Sequence, residues 1–413
     1  MRAMGIDIGT TTISAVLMDG ERQVWAQTIA NGCEMRGAAF ARLQDAEKIY
    51  YKVHELARCV KSDVIGLTGQ MHGILYANAD GHCLSPLYTW QDGRGDLLRA
   101  DGKTYAQGLS EGLKRPLATG YGAVTHDYNV RNGIVPEGAR WAMTIADYVG
   151  MRLCNLNAPM MHISNAASLG APDWDGICDM IRSTDETRML GAMPNGTKVA
   201  IAIGDNQASF LGATRDAPGA LLLNMGTGGQ ISAIAKPDAV AQNGLELRPY
   251  IDGAQLIVGF SLCGGRAYAL LEGLFSEIAG APKGSMYEQM NSWAQAELKD
   301  PLSIRTTFCG TRQQPALRGA IAGISDENLT AAHLVRGTIR GMADELIGLY
   351  EDMKAQCADL PVQLFGAGNG LRKNAALRAQ FEEAFGAEMA VPRCAEEAAM
   401  GAAVFAGMAI AGD

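Results

Sequence analysis

Apolar and polar positions divide the chain into alternating strand-like and helix-like stretches. Met4-Gly5-Ile6-Asp7-Ile8-Gly9 reads as a strand, Thr10-Thr11-Thr12 as its turn and residues 13–18 as the returning strand. Short apolar runs punctuated by Gly and Thr carry that signature. Asp19-Gly20 is a hairpin turn signal. Residues 38–60 are rich in helix formers with apolar positions at helical spacing, which predicts a helix. Residues 64–68 predict a strand that ends at Gly69-Gln70-Met71-His72-Gly73, and Asp80-Gly81 marks another hairpin.

The opening pattern returns near mid-chain. Leu221-Leu222-Leu223-Asn224-Met225-Gly226 is an apolar strand, Thr227-Gly228-Gly229 its turn, and residues 230–235 return. Asp7-x-Gly-Thr and Asn224-x-Gly-Thr thus hold equivalent places in two half-chains, as two similar α/β domains would require. Strands follow at 255–260 and 362–365, the latter running into Gly366-Ala367-Gly368-Asn369-Gly370. Helices are predicted over 328–357, 374–385 and 396–411. Gly, Asp and Pro cluster at 212–219, so the predicted domains are 1–213 and 214–413.

Composition narrows the function. The 413 residues suggest two or three domains of about 150 residues. Apolar residues make up 48% and charged residues 19%, enough for a large core. The net charge of -9 argues against a nucleic-acid surface. No run is long and apolar enough to span a membrane, and the N-terminus lacks a signal-peptide pattern. Nine scattered cysteines without Cys-x-x-Cys read as free thiols in a reducing cytoplasm.

Candidate chemistry sits at strand ends. Gly102-Lys103-Thr104 has only the tail of a Walker loop, and no Gly-x-Gly-x-x-Gly follows the first strand. Three small-residue loops remain: Gly9-Thr10-Thr11-Thr12, Gly226-Thr227-Gly228-Gly229 and Gly366-Ala367-Gly368-Asn369. Such loops let amides and hydroxyls approach an anion, and together they fit a nucleotide held by two domains. Asp7 lies inside an apolar strand, where a charge needs a partner such as a metal-bound water. Asp205 follows an apolar run and opens Asn206-Gln207-Ala208-Ser209. Helix capping alone accounts for an Asp there; a helix N-terminus also favours the ionised form that a general base needs. His72 suits a core or loop histidine as well as a ligand contact. Trp90-Gln91-Asp92-Gly93-Arg94 offers sugar-binding chemistry, or a solvated turn.

Taken in order, Asp7-Ile8-Gly9-Thr10-Thr11, Gly69-Gln70-Met71-His72-Gly73, Trp90-Gln91-Asp92-Gly93-Arg94, Gly204-Asp205-Asn206, Asn224-Met225-Gly226-Thr227 and Gly366-Ala367-Gly368 resemble the FGGY carbohydrate kinases. Glu397-Ala398-Ala399-x-Gly401-Ala402-Ala403 extends the resemblance into the last helix. Local strings such as Ala118-Thr119-Gly120-Tyr121-Gly122 and Ser164-Asn165-Ala166-Ala167-Ser168 are most similar to the sedoheptulokinase branch, with the xylulokinase branch next. Asn206 is more xylulokinase-like, and the stretch from Thr125 lacks the Lys-Leu-x-Trp pattern of that branch.

The resemblance implies a duplicated α/β fold of the actin/hexokinase/Hsp70 type (ribonuclease H-like), with two domains and a central cleft. It implies a ketose and ATP as substrates, with Mg²⁺, in a monomer or homodimer without a nucleic-acid or membrane partner. Asp205 would be the general base, and Asp7 with Asp205 the metal residues. Met71, His72, Asn206, Trp90, Asp92, Arg94 and Asn165 would face the sugar. Thr10, Thr11, Thr12, Gly226, Thr227, Gly228, Gly366, Gly368, Asn369 and Asn374 would face the nucleotide.

Overall fold

The computed structural model describes residues 1–311, 313–314, 316–358, 363–392 and 396–412. The chain divides into two compact units, one of Met1–Arg215, Pro249–Gly253 and Glu396–Asp413, the other of Asp216–Arg248 and Ala254–Ala395.

The first unit begins with β1 (Arg2–Ile8), β2 (Thr12–Asp19) and β3 (Arg22–Ala30), joined as an antiparallel meander. The predicted helix over 38–60 is shorter at its start. Residues Leu43–Gln44 form a short strand, β4, and α1 spans Ala46–Cys59. Asp45 stops helix growth there, because its carboxylate accepts the Lys48 amide as an N-cap. β5 (Val64–Gly69) pairs parallel with β1. β6 (Met189–Ala192) and β7 (Lys198–Ala200) complete a six-stranded sheet in the order β6-β7-β5-β1-β2-β3. Helix α2 (Asp205–Thr214) follows.

Alternation along β1 and β5 separates two faces. Ile6, Ile8, Ile65 and Leu67 are fully buried in the core cluster that also holds the α1 residues Ile49 and Val53. Gly5 and Gly66 occupy the other face, leaving it flat.

The second unit repeats the plan. β8 (Ala220–Met225) and β9 (Gly229–Ile234) are an antiparallel pair, as the mid-chain echo predicts. β10 (Glu246–Pro249), β11 (Gln255–Ser261) and, further on, β12 (Gln363–Ala367) give the order β10-β11-β9-β8-β12. β8 pairs parallel with β12, as β1 does with β5. Three helices pack nearby in sequence order: α3 (Gly264–Ala279), α4 (Ala331–Met353) and, after the six-residue α5 (Gly368–Lys373), α6 (Ala375–Phe385). Val362, the first residue of the predicted strand 362–365, lies outside the described residues.

The last helix, α7 (Glu397–Ala411), departs from the 214–413 boundary: it packs in the first unit. The flat face explains this. A Cβ on Gly5 would lie 1.7 Å from the Ala399 carbonyl oxygen, and one on Gly66 would lie 1.8 Å from that of Ala402. α7 therefore rests directly on the backbone of β1 and β5. Among the described residues no helix is long and apolar enough to cross a membrane. The eight described cysteines are free thiols.

Candidate active site

Asp7 is the penultimate residue of β1, in register with Thr68 of β5. Neighbours in register on parallel strands share a face, so Asp7 and Thr68 continue the row begun by Gly5 and Gly66. Burial, followed by the charges of Asp205 and Glu396, pushes the Asp7 carboxyl up to about 7. The charges of Asp205, at the start of α2, and of Glu396, the residue before α7, thus reach the Asp7 carboxyl. Glu396 carries no signal in the sequence, since hundreds of residues separate it from Asp7.

Asp205 is the first residue of α2, and Gly204 rather than Asp205 takes the N-cap position. The capping explanation for Asp205 is thus replaced by a place within the first turn, where an anion is favoured by the helix dipole. Buried polar atoms without a partner among the described residues gather nearby in sequence and register: Thr68 Oγ1, Asn206 Oδ1 and Gln207 Oε1. Such atoms are costly unless a bound group or water satisfies them.

Met71 packs against this turn; a Cβ on Gly204 would come within 2.8 Å of Met71 Cε. His72 holds a left-handed backbone with φ 72°, a conformation uncommon outside Gly and Asn. Its amide donates to Ser168 Oγ and its Nδ1 to the Ser168 carbonyl at 2.6 Å, while the ring stacks on Tyr121. A carbonyl only accepts, so Nδ1 of His72 carries a proton. The half-exposed Trp90 donates from Nε1 to Thr10 Oγ1 at 3.0 Å. A candidate sugar platform and a candidate phosphate turn are thereby joined.

Asp92, Arg94 and Asn165 are placed differently from the expectation of direct sugar contact. Each is buried, at 0%, 4% and 1% exposure, with its side-chain polar groups bonded within the protein. Asp92 accepts from Arg42 and Arg94 backbone amides and holds the Arg94 guanidinium at 2.6 Å. Arg94 also bonds Asn129 and lies over the Tyr88 ring. Asn165 donates to Asp147 and to the Ala202 carbonyl. These residues brace the loops that carry Trp90 and Asp205.

In the second unit, the Gly226-Thr227-Gly228 turn is open at Gly226 and Thr227. The start of α3 packs on it: Gly265 and Arg266 amides donate to the Gly226 and Thr227 carbonyls. A Cβ on Gly264 would lie 2.4 Å from the Gly228 carbonyl carbon, which makes glycine necessary there. Sequence reasoning passed over this glycine pair in α3, although Gly264-Gly265 after a strand is a visible signal. Gly368, at φ 82°, brings the third loop onto the end of β8, since its Cβ would meet Asn224 Oδ1 at 2.6 Å. Asn369 is exposed beside it. Gly366 is a packing glycine within β12, where Met389 Sδ would stand 2.4 Å from a Cβ. Asn374 is 8% exposed and its Oδ1 caps α6 by accepting the Leu377 amide. Gly366 and Asn374 therefore shape the loop from within rather than meet a nucleotide.

Residues 221–410 match the FGGY family of carbohydrate kinases, C-terminal domain. Residues 221–410 thus carry the C-terminal domain of the FGGY carbohydrate kinases. It is 27% identical to sedoheptulokinase from Mus musculus over 92% of each chain. It is 26% identical to the sedoheptulokinase of Homo sapiens over 97% of this chain and 96% of that one. The crystal structure of a xyloylose kinase from Brucella ovis aligns with a TM-score of 0.83 at 21% identity, covering 100% of this chain and 91% of that one. The fold of this FGGY kinase is thus the actin/hexokinase-like one, and ATP-dependent sugar kinase activity is supported.

Kinases of this family use ATP and typically Mg²⁺. Among the described residues no group of three or more His, Cys, Asp or Glu is arranged to hold a metal by itself. Mg²⁺ needs no such cage, since it keeps several waters and takes one or two carboxylates. The crowding of Asp7, Asp205 and Glu396 is the charge environment that a hydrated cation relieves.

This crowding has a measurable sign. The Asp7 carboxyl titrates at about 7 in the folded chain, against 3.8 for an unperturbed aspartate. Between those values the folded chain binds a proton that the unfolded chain does not, so its stability falls as pH rises through that window. In metal-free protein, Asp7→Asn is expected to raise the unfolding temperature at pH 8 and to raise it less at pH 5. An unchanged or lowered unfolding temperature at pH 8 would show that the protein already satisfies this carboxylate.

Proposed function

We propose that this FGGY kinase transfers the γ-phosphoryl group of ATP to a primary hydroxyl of a ketose, forming sedoheptulose 7-phosphate from sedoheptulose. The observation that carries the chemistry is the place of Asp205 at the N-terminus of α2, with its charge in reach of the Asp7 carboxyl near the end of β1. The substrate assignment draws on the similarity to sedoheptulokinases along both chains' length.

Asp205 takes the proton from the attacking hydroxyl, a task for which a helix N-terminus favours the ionised form it needs. Asp7, with Asp205, would hold Mg²⁺. Bound Mg²⁺ supplies positive charge that offsets the charge on the transferring group. Thr10, Thr11, Thr12 and Thr227 offer donors to the phosphates. Gly226, Gly228, Gly368 and Asn369 give the nucleotide close backbone approach. Met71 packs the sugar's C–H groups, His72 offers its ring to a hydroxyl, and Asn206 contributes its amide. Trp90 supplies a flat apolar surface at the site's edge. Polyols need such a mixture of fixed polar groups and apolar surface.

A coupled ATP-consumption assay with Mg²⁺ tests this reading. The panel is sedoheptulose, xylulose, ribulose, fructose, glycerol and no sugar. Sedoheptulose is expected to lead by about tenfold or more in kcat/KM, equivalent to about 1.4 kcal/mol in transition-state binding. A lead for xylulose or ribulose would reassign the substrate to a ketopentose. ATP consumption of equal size without sugar would overturn the kinase reading.

A further inference from the structure

Gln44 lies in β4, outside every motif noted in the sequence and in a stretch expected to be helical. Its side chain is 1% exposed. Nε2 donates to the Thr10 carbonyl at 2.8 Å, and Oε1 accepts from Gln70 Nε2 at 2.8 Å. Gln70, 4% exposed, turns its own Oε1 to the Thr10 hydroxyl at 3.4 Å, a long contact that closes a ring of three residues. The Thr10 hydroxyl in turn accepts the Trp90 indole N–H at 3.0 Å.

Chemistry fixes the direction of this ring. A backbone carbonyl only accepts, so the NH₂ of Gln44 must face Thr10 and its oxygen must face Gln70. Gln70 then has its oxygen left for the Thr10 hydroxyl proton. That hydroxyl is thereby aimed so that its lone pairs receive Trp90. One buried amide sets the orientation of the turn after β1, of the residue preceding Met71-His72, and of the Trp90 ring.

We propose that Gln44 is a positioning residue for phosphoryl transfer: through Thr10 and Gln70 it holds the phosphate-facing turn and the Trp90 ring in register with one another. The proposal rests on the reading above that Thr10 and Trp90 border the substrates. Transfer is sensitive to small misplacements of such groups. An apolar side chain of similar volume could fill the space of Gln44 but would leave the Thr10 carbonyl and Gln70 unanchored.

The test is a double-mutant cycle in the full chain with Gln44→Met, Trp90→Phe and the pair, reading kcat and both KM values with ATP and the best panel sugar. Trp90→Phe removes the N–H while keeping an aromatic ring. Each single change is expected to lower kcat/KM for the sugar by about tenfold, with KM for ATP within about twofold. The pair is expected to be within about twofold of the worse single variant, because both act through Thr10. A merely structural Gln44 would lower the urea midpoint without this coupling. Gln44→Glu keeps the shape and the acceptor for Gln70 but loses the ionised side chain's donor to Thr10, so it should share the loss even if Gln44→Met folds poorly.

Unaltered kinetics in Gln44→Glu, or losses that multiply to about a hundredfold in the pair, would overturn the proposal. A silent Trp90→Phe beside an impaired Gln44→Met would overturn its Trp90 arm. Absence of sugar-dependent turnover in the unsubstituted chain would overturn the underlying reading and this inference with it, and is seen before any variant is made.

Discussion

Asp205→Asn is expected to lower kcat by about a hundredfold or more, the usual scale of a lost general base. The substitution keeps size and shape at the first position of α2 and removes the negative charge, and with it the ability to take up a proton. Loss of the favourable charge–dipole contact costs about 0.3–1 kcal/mol, too little to unfold the chain. Nucleotide binding should persist, because the glycine loops around Gly226 and Gly368 lie in the second unit's own segments. Rapid-quench turnover together with equilibrium binding of ATP separates the two effects. A variant with near-normal kcat would remove Asp205 from the role of base; one that has lost ATP binding to the same degree would make it a structural anchor.

Gly401→Val is expected to have the largest effect on stability. A Cβ at Gly401 would lie 1.7 Å from the Ala208 carbonyl oxygen, and one at Gly212 would lie 2.0 Å from that of Glu397. α7 and α2 thus cross with backbone against backbone, and neither can yield because the obstructing atoms are main chain. Overpacking of a tight core costs about 1–3 kcal/mol or more, and a branched side chain at this crossing belongs at or above the upper end. Separation of α7 from α2 would also move Asp205, so activity should fall with stability. Gly407→Ala on the same helix is the control: its nearest neighbour is the end of the Met1 side chain at 3.3 Å, and its urea midpoint should stay close to wild type. A wild-type midpoint for Gly401→Val would mean that the two helices are not packed in this way.

Part of the candidate site was readable because its signals are local. The two strand–turn–strand units, at Asp7 and Asn224, follow from apolar runs broken by Gly and Thr, and both form as antiparallel pairs of matching topology. The start of α2 is likewise local, an apolar run followed by Gly204 and Asp205. The errors are also physical. Asp92, Arg94 and Asn165 have the residue types of a sugar site, yet burial commits their polar atoms to the protein. Residue type cannot distinguish a polar group facing a ligand from one that holds a loop from behind.

The sequence by itself determined the strands and helices that flank the candidate site, the repeated strand–turn–strand plan of the two units and the residues at their turns. Each depends on periodicity or turn chemistry within a few residues. Only the tertiary structure decided that α7 belongs to the first unit, that Glu396 stands in charge reach of Asp7, and that Gln44 holds Thr10. α7 is rich in Ala and Gly on every side, so its pattern names no buried face and no partner. Its place is set by shape, where the missing side chains of Gly5, Gly66 and Gly212 leave room for a helix backbone. That complementarity joins residues far apart in the chain and exists only once they are packed.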